Sequence, residues 1–100
     1  MEEELKELPE LLDQVIDEPT LQALVADIEG LTQVFEVLVK GAAQARASGG
    51  PLSPSQAVDM LRAGQVRGVQ IRYRHEGVEW MDTLMQTPQG TRVVRMRAHV

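Results

Sequence analysis

Arginines at alternate positions in the C-terminal half of this chain are its strongest candidates for binding a partner or ligand. Two methionines fall into the same alternation, and the full set is Arg72, Arg74, Met81, Met85, Arg95 and Arg97. Alternate residues of a strand point to the same side, so we expect these six on one sheet face. Guanidinium groups bind carboxylates and phosphates through paired hydrogen bonds, and methionine adapts to irregular apolar surfaces. The pattern therefore predicts a partner-binding surface, with an acidic protein as the expected partner.

This predicted arginine face has other interpretations. Its side chains could form a solvated outer surface, or they could be neutralised by acidic helices of the same chain. They could also bind a phosphate-bearing ligand or a nucleic acid. Base stacking requires exposed aromatic rings, whereas the strand pattern places Tyr73 and Trp80 on the opposite face. The sequence therefore disfavours nucleic acid.

Asp82 is the one acidic residue on the predicted apolar face of the sheet, between Trp80 and Leu84. A buried carboxylate must be paired or hydrogen-bonded, and we expect its donor to be a helix N-terminus or Arg92. The alternative is a general base with a shifted pKa beside a pocket. No second carboxylate, serine or histidine lies at a spacing that completes a catalytic set, so we favour the structural role.

Other chemistry is disfavoured by the residue types present. There is no cysteine, and His75 and His99 are the only histidines, so neither a thiolate nor a transition-metal site is expected. Gly49-Gly50 precedes Pro51 and does not open a phosphate-binding loop. We expect no catalytic residue, no metal and no cofactor, and therefore no enzyme activity.

Charge is divided between the two halves of the 100-residue chain. Residues 1–53 carry eleven acidic and three basic side chains, a net charge of −8, whereas residues 54–100 carry seven arginines and four acids, a net charge of +3. The start, Met1-Glu2-Glu3-Glu4, is the opposite of a signal peptide, and no apolar run has the roughly 20 residues that a membrane span needs. We expect a cytoplasmic protein.

The acidic half predicts helices. Apolar residues recur every three or four positions over residues 4–17, interrupted by Pro9, and Glu18-Pro19 ends this first segment. A second, longer helix opens at Pro19 and Thr20. Its apolar steps of three and four form a heptad seam through Leu21, Leu24, Ile28, Leu31, Phe35, Leu38, Ala42 and Ala45.

This seam has two interpretations. It could pack against the first helix in an intramolecular hairpin, or it could mediate self-association. The valines beside it widen the apolar surface beyond one stripe, and a helix that is apolar over most of its circumference is buried on several sides. The self-association interpretation uses Leu24, Ile28, Leu31, Phe35 and Leu38.

The second half begins with a linker over residues 48–53 and a short helix over 54–63. Ser53 can cap this helix, Pro54 suits its first position, and Gln56 completes a capping box. Gly64 suits a left-handed stop.

From residue 66 the period changes to two, which predicts a three-stranded antiparallel meander over 66–98. A turn at Glu76-Gly77 pairs Tyr73 with Trp80 and Ile71 with Asp82. A second turn over Thr87–Gly90, with a bulge at Gly90, pairs Leu84 with Val94, Asp82 with Met96 and Trp80 with Ala98. The predicted apolar face consists of Val69, Ile71, Tyr73, Trp80, Leu84, Val94 and Met96.

The sequence therefore predicts a single α+β domain over residues 1–100, with a helical part at 1–47 and the β-meander packed under the helices. Its open sheet edges and its seam favour a homodimer. The function we expect is a small non-enzymatic interaction module: an adaptor, an assembly factor or a regulatory subunit. The alternative is a phosphate-ligand or nucleic-acid binding domain that uses the same arginines. A third hypothesis is an enzyme whose site forms at a subunit interface around Asp82, Arg92 and Trp80.

Overall fold

A computed structural model describes residues 11–41 and 51–98. It contains two helices and one antiparallel sheet of five strands, which confirms the α+β class. In chain order the elements are β1 (Leu11–Ile16), α1 (Glu18–Leu31), β2 (Gln33–Lys40), α2 (Pro54–Arg62), β3 (Gly68–His75), β4 (Val78–Thr87) and β5 (Gly90–Arg97). The prediction of three strands is wrong, because β1 and β2 add an edge strand on each side of the meander, and the predicted N-terminal helical hairpin is wrong, because a strand lies before and after the first helix. Neither described helix is long and apolar enough to cross a membrane.

The strands lie in the order β1-β5-β4-β3-β2, so β1 and β2 occupy opposite edges and α1 connects them across the sheet. Both helices pack on one side, which we call the helix-covered face. The side away from them, which no described helix covers, is called the open face. The core lies between the helices and the covered face and consists of Leu21, Val25, Ile28, Ala57, Val58, Leu61, Val66, Val69, Ile71, Tyr73, Trp80, Leu84 and Val93.

The helix predicted over residues 4–17 is wrong for its second part, because residues 11–16 form β1. The rest of that prediction, residues 4–10, lies outside the described residues. β1 pairs with β5, which places Leu12 and Ile16 on the helix-covered face and Asp13 and Val15 on the open face. The segment is too short for its three-and-four spacing of apolar residues to distinguish a helix from a strand. Its pairing with β5 selects the strand.

The predicted long helix ends at Leu31, where α1 stops and Thr32 adopts an extended conformation. Phe35 and Leu38 therefore lie on a strand, and the heptad seam through Leu24, Ile28 and Leu31 does not continue into them. The segment of β2 is rich in β-branched and aromatic residues, which favour strands. A bulge between Val34 and Glu36 changes the phase of the alternation, so Val34 and Val37 both face the core and mimic a helical step of three.

The start of each helix follows local capping chemistry. Asp17 accepts a hydrogen bond from the Thr20 backbone N–H at 3.0 Å at the start of α1. Ser53 and Gln56 form the capping box of α2: Ser53 Oγ accepts from the Gln56 N–H at 3.1 Å, and Gln56 Oε1 accepts from the Ser53 N–H at 2.8 Å. These contacts fix where the helices enter the layer above the sheet.

Strands β3 and β4 pair in the predicted register, with Tyr73 opposite Trp80 and Ile71 opposite Asp82. The turn between them is Glu76-Gly77, and both residues have positive φ, at 53° and 82°. Two such residues form the tight turn whose twist matches that of the strands.

The predicted register between β4 and β5 is wrong by one residue. Thr87 pairs directly with Gly90, so the turn has two residues and no bulge. The Thr87 hydroxyl fixes this turn, since it donates to the Gly90 carbonyl at 2.8 Å and accepts from the Gly90 N–H at 3.1 Å. Gly90 also lies where a side chain would collide with the Ile16 carbonyl of β1.

The one-residue difference exchanges the two sides of β5. Asp82 faces Arg95 and Trp80 faces Arg97, while Val93 takes the core position expected for Val94. Val94 and Met96 consequently lie on the open face.

Two neighbouring valines test this register. Val93→Thr places a hydroxyl in the core and should lower the free energy of unfolding by about 1–3 kcal/mol, whereas Val94→Thr should change it by less than about 0.5 kcal/mol. Threonine has nearly the shape and strand preference of valine, so the comparison isolates burial. Urea unfolding in dilute solution measures both variants, and a larger loss for Val94→Thr would contradict the register.

Candidate functional site

The open face combines an apolar centre with a charged margin. Met81 and Met96 are cross-strand neighbours, as are Thr83 and Val94. The apolar strip extends over β1, β5 and β4, and its side chains include Val15 and Met96, with exposed fractions of 50% and 39%. Strand β3 presents only glycine and polar residues to this face, so Leu38 of β2 lies apart from the strip. Contiguous exposed apolar surface of this kind marks an interaction site more often than scattered single residues do.

The charged side chains of this face largely neutralise one another. Arg92 makes two hydrogen bonds to the Asp13 carboxylate, at 2.9 and 2.6 Å, across β5 and β1. The same contact lowers the pKa of Asp13 and raises that of Arg92, with the hydrogen bond as the main cause. The Nη2 atom of Arg74 lies 3.0 Å from Oε2 of Glu79.

Two arginines lie beside residues of β2. The Arg74 guanidinium lies 5.2 Å from the centre of the Phe35 ring, a cation–π distance. Arg72 has Glu36 as its cross-strand neighbour. The arginines of the open face are therefore next to acidic or aromatic side chains of the same chain.

The predicted arginine face is divided between the two sides of the sheet. Arg72, Arg74, Met81 and Met85 lie on the open face, as predicted. Arg95 and Arg97 lie on the helix-covered face, because β5 is shifted by one residue. The four arginines do not converge, and the open face is neither strongly basic nor suited by charge to an acidic partner.

Asp82 is fully buried and hydrogen-bonded, but not to the predicted donors. Arg95 donates to both of its oxygens, from Nε to Oδ1 and from Nη2 to Oδ2, each at 2.9 Å. The Tyr73 hydroxyl donates to Oδ1 at 3.1 Å. Arg92, predicted as the partner, instead binds Asp13. The carboxylate considered as a general base is thus engaged by two donors, which is the arrangement of a structural ion pair.

Burial and charge act together on this network of Tyr73, Asp82 and Arg95, which we call the buried triad. Burial and the negative charge of Asp82 raise the pKa of the Tyr73 phenol well above its ordinary value of 10.0. Burial alone would lower the pKa of Arg95, but the hydrogen bonds and charge of Asp82 outweigh it and raise that pKa. Tyr73 therefore stays a neutral donor and Arg95 a cation.

A pocket of about 140 Å³ lies above the buried triad, between the second half of α1 and the sheet. Trp80 and Tyr73 provide aromatic walls, and Arg95 lies at its base. His75 is also a lining residue, and its Nδ1 atom is buried without a hydrogen-bond partner among residues 11–41 and 51–98. The complete lining is Leu24, Asp27, Ile28, Leu31, Thr32, Tyr73, His75, Trp80 and Arg95.

Sequence reasoning did not find the pocket, because half of its wall comes from the end of α1, which was predicted to continue. It also missed Phe35 and Leu38 as sheet residues. The sequence does contain one indication of the β5 register. A buried Asp82 needs a cationic partner, and moving β5 by one residue from the predicted pairing places Arg95 opposite Asp82 in place of Met96. Within the described ranges, no group of His, Asp and Glu side chains is arranged to hold a metal ion.

Matched substitutions at two aspartates test how much the buried triad contributes to the free energy of unfolding. Asp82→Asn leaves the Arg95 cation buried without an opposite charge and should lower the free energy of unfolding by about 3–5 kcal/mol. Asp13→Asn breaks an arginine pair of similar geometry at an exposed site and should cost much less. Denaturant unfolding gives both values, and comparable losses would mean that the buried triad has no special role.

The ionisation of Tyr73 provides a second test, because it is the only tyrosine of the chain and ultraviolet absorbance reports it alone. Since folding raises its pKa above 10.0, the contribution of Tyr73 is fully present below pH 10 and is lost as the pH rises further. We expect tyrosinate absorbance to appear only together with loss of the circular dichroism signal. Tyr73→Phe, the control, should show a shallower loss of stability at high pH. Ionisation near pH 10 with the fold intact would contradict the buried hydrogen bond.

No family model, curated protein or solved structure matches this chain.

Proposed function

We propose that this chain is a small non-enzymatic protein-interaction module that forms a homodimer through its open face. The observation that carries the proposal is the exposed apolar strip across that face, centred on Met81, Val94 and Met96. The strip covers β1 and β5 and ends at β4, the middle strand of the five. A two-fold axis near Thr83 would bring the apolar centre of each copy onto that of the other.

Charge favours a second copy over an acidic partner. The margin of the open face already pairs Arg92 with Asp13 and Arg74 with Glu79. A nearly neutral surface with both signs at its rim can be complementary to itself, as a symmetric dimer interface requires. The alternatives of a phosphate ligand or a nucleic acid depended on four arginines on one surface, and Arg95 is bound to Asp82 on the other side.

The size of the face is adequate for such a dimer. With about 4.8 Å between strands and about 3.4 Å per residue, five strands of about eight residues span about 24 by 27 Å, or about 650 Å² before side-chain relief is added. Standard stable interfaces bury about 800 Å² per partner. Face-to-face sheets pack about 10 Å apart, which flexible methionines can fill.

The hydrogen bonding of the Asp82 carboxylate supports the non-enzymatic part of the proposal. Both carboxylate oxygens accept hydrogen bonds from within the protein. A carboxylate that is hydrogen-bonded to a buried arginine in this way is poorly placed to accept a proton from a substrate. The interface-enzyme hypothesis also required Arg92 beside Asp82, and Arg92 lies on the open face.

Sedimentation velocity over a wide range of protein concentrations tests the dimer. We expect the unmodified chain to be dimeric at micromolar concentrations, and Met96→Lys to shift it to monomer, since Met96 is exposed and a lysine would be buried in the interface. Leu31→Lys is the matched control: Leu31 is also a large exposed apolar residue, with an exposed fraction of 64%, but it lies at the end of α1. We expect the Leu31→Lys variant to remain dimeric.

Two results would overturn this proposal. The unmodified chain could remain monomeric at high micromolar concentration, or Met96→Lys could leave the dimer intact while Leu31→Lys dissociates it. Circular dichroism of each variant verifies that the monomer is folded.

A further inference from the structure

We propose that the outer edge of β2 binds the same edge of a second copy of this chain, in an antiparallel register centred on Leu38. The contact would join two five-stranded sheets into one continuous sheet. It is separate from the proposed open-face dimer, because it uses the edge strand beyond β3, whereas the apolar strip covers β1, β5 and β4. A chain that uses both contacts assembles beyond a dimer.

The outer edge of β2 is unpaired. β2 lies at one end of the order β1-β5-β4-β3-β2, and no strand among residues 11–41 and 51–98 pairs with its outer side. Such an edge presents a row of backbone N–H and C=O groups that a further strand can bind. β2 has eight residues, whereas β1 at the opposite edge has six. Leu38, at the centre of the proposed contact, has an exposed fraction of 41%, so the longer of the two edges is also accessible.

The sequence of β2 is complementary to itself, since residues 36–40 read Glu-Val-Leu-Val-Lys. In the proposed register Glu36 lies opposite Lys40 of the second copy, and the two Leu38 side chains lie opposite each other. Val37 lies opposite Val39. These two valines pack against the core, and the other three residues are exposed. Every pair therefore joins side chains on the same side of the sheet, where opposite charges and apolar neighbours are stabilising.

Other registers lack this complementarity. Opposite residues must lie on the same side, so the pairing changes in steps of two residues. One step in either direction places Glu36 or Lys40 opposite Leu38. A second step places two Glu36 or two Lys40 side chains opposite each other, and like charges at such positions are destabilising. The charges thus select the register centred on Leu38.

Both charged side chains can bind the second copy without breaking an existing ion pair. Within the described ranges of the chain, neither Glu36 nor Lys40 forms one. Lys40 lies opposite Gly68 of β3, which has no side chain, and Glu36 lies opposite Arg72. A lysine on a sheet edge discourages pairing with another strand, but in this register Glu36 of the second copy offsets its charge.

The bulge in β2 limits the contact. It lies between Val34 and Glu36, and a bulge disrupts regular pairing at an edge. The pairing is therefore confined to residues 36–40. A two-fold contact of this kind uses the β2 edge of both copies, so it closes on itself at this edge. So short a contact is weak, and we expect it at concentrations well above those at which the open-face dimer forms.

Exchange of the two charges tests the register. The Met96→Lys variant serves as the parent, because it removes the open-face dimer and leaves β2 unchanged. We expect the parent to associate weakly in sedimentation equilibrium at concentrations up to millimolar. Glu36→Lys and Lys40→Glu should each weaken this association about tenfold, since each converts two symmetric attractions into repulsions. The double variant, Glu36→Lys with Lys40→Glu, restores both attractions and should associate like the parent.

Disulfide trapping locates the two-fold axis. The chain has no cysteine, so Leu38→Cys in the same parent introduces a single thiol. Opposite Cα atoms of an antiparallel pair are about 4.5–5.5 Å apart, a separation that a disulfide can bridge. Oxidised glutathione should therefore convert this variant into a covalent dimer on a non-reducing gel. Phe35→Cys is the matched control, because Phe35 lies on the same strand with an exposed fraction of 42%. Its two copies are about 20 Å apart in this register and should not crosslink.

Three results would overturn the proposal. The parent could show no association at millimolar concentration, the double charge variant could associate as weakly as the single variants, or Phe35→Cys could crosslink as readily as Leu38→Cys. None of them affects the open-face dimer, which is decided by Met96→Lys at micromolar concentration. Circular dichroism of each variant verifies that it is folded.

Discussion

The buried carboxylate of Asp82 is the constraint on which the arrangement of the sheet depends. An ionised group without solvent must receive its hydrogen bonds from the protein, and Asp82 receives them from β3 through Tyr73 and from β5 through Arg95. One side chain thus connects the three central strands beneath the helices. If β5 were displaced by one residue, Met96 would lie opposite Asp82, and the carboxylate and the Arg95 cation would both lose their partner.

That register in turn determines the composition of both sheet faces. Because side chains alternate, every residue of β5 changes sides when the pairing moves by one. The observed pairing places Val93 in the core and Val94 and Met96 on the open face. It also separates the four arginines that the sequence alternation predicts on one face. The neutral, methionine-rich open face and the pocket above Arg95 are two results of the same buried ion pair.

The sequence was most informative where local chemistry and tertiary structure agree. The α+β class, the capping box at Ser53 and the β3–β4 register follow from turn residues, caps and strict alternation. The edge strands could not be predicted in this way. β1 is only six residues long and shows helical spacing, while the bulge in β2 imitates a helical step. The register of β5 follows from an electrostatic requirement, since a buried Asp82 needs a cation and Arg95 supplies it, whereas turn preferences alone favour a bulge at Gly90.

The order β1-β5-β4-β3-β2 also has a kinetic consequence. The hairpins β3–β4 and β4–β5 join residues that are close along the chain, whereas β1 pairs Leu11 with Met96 and Ile16 with Thr91. Such distant segments meet only after a large loss of chain entropy. We therefore expect the meander to form early and β1 to join last, as the closing strand. Until it does, the exposed edge is β5, whose three arginines act as gatekeepers against intermolecular pairing.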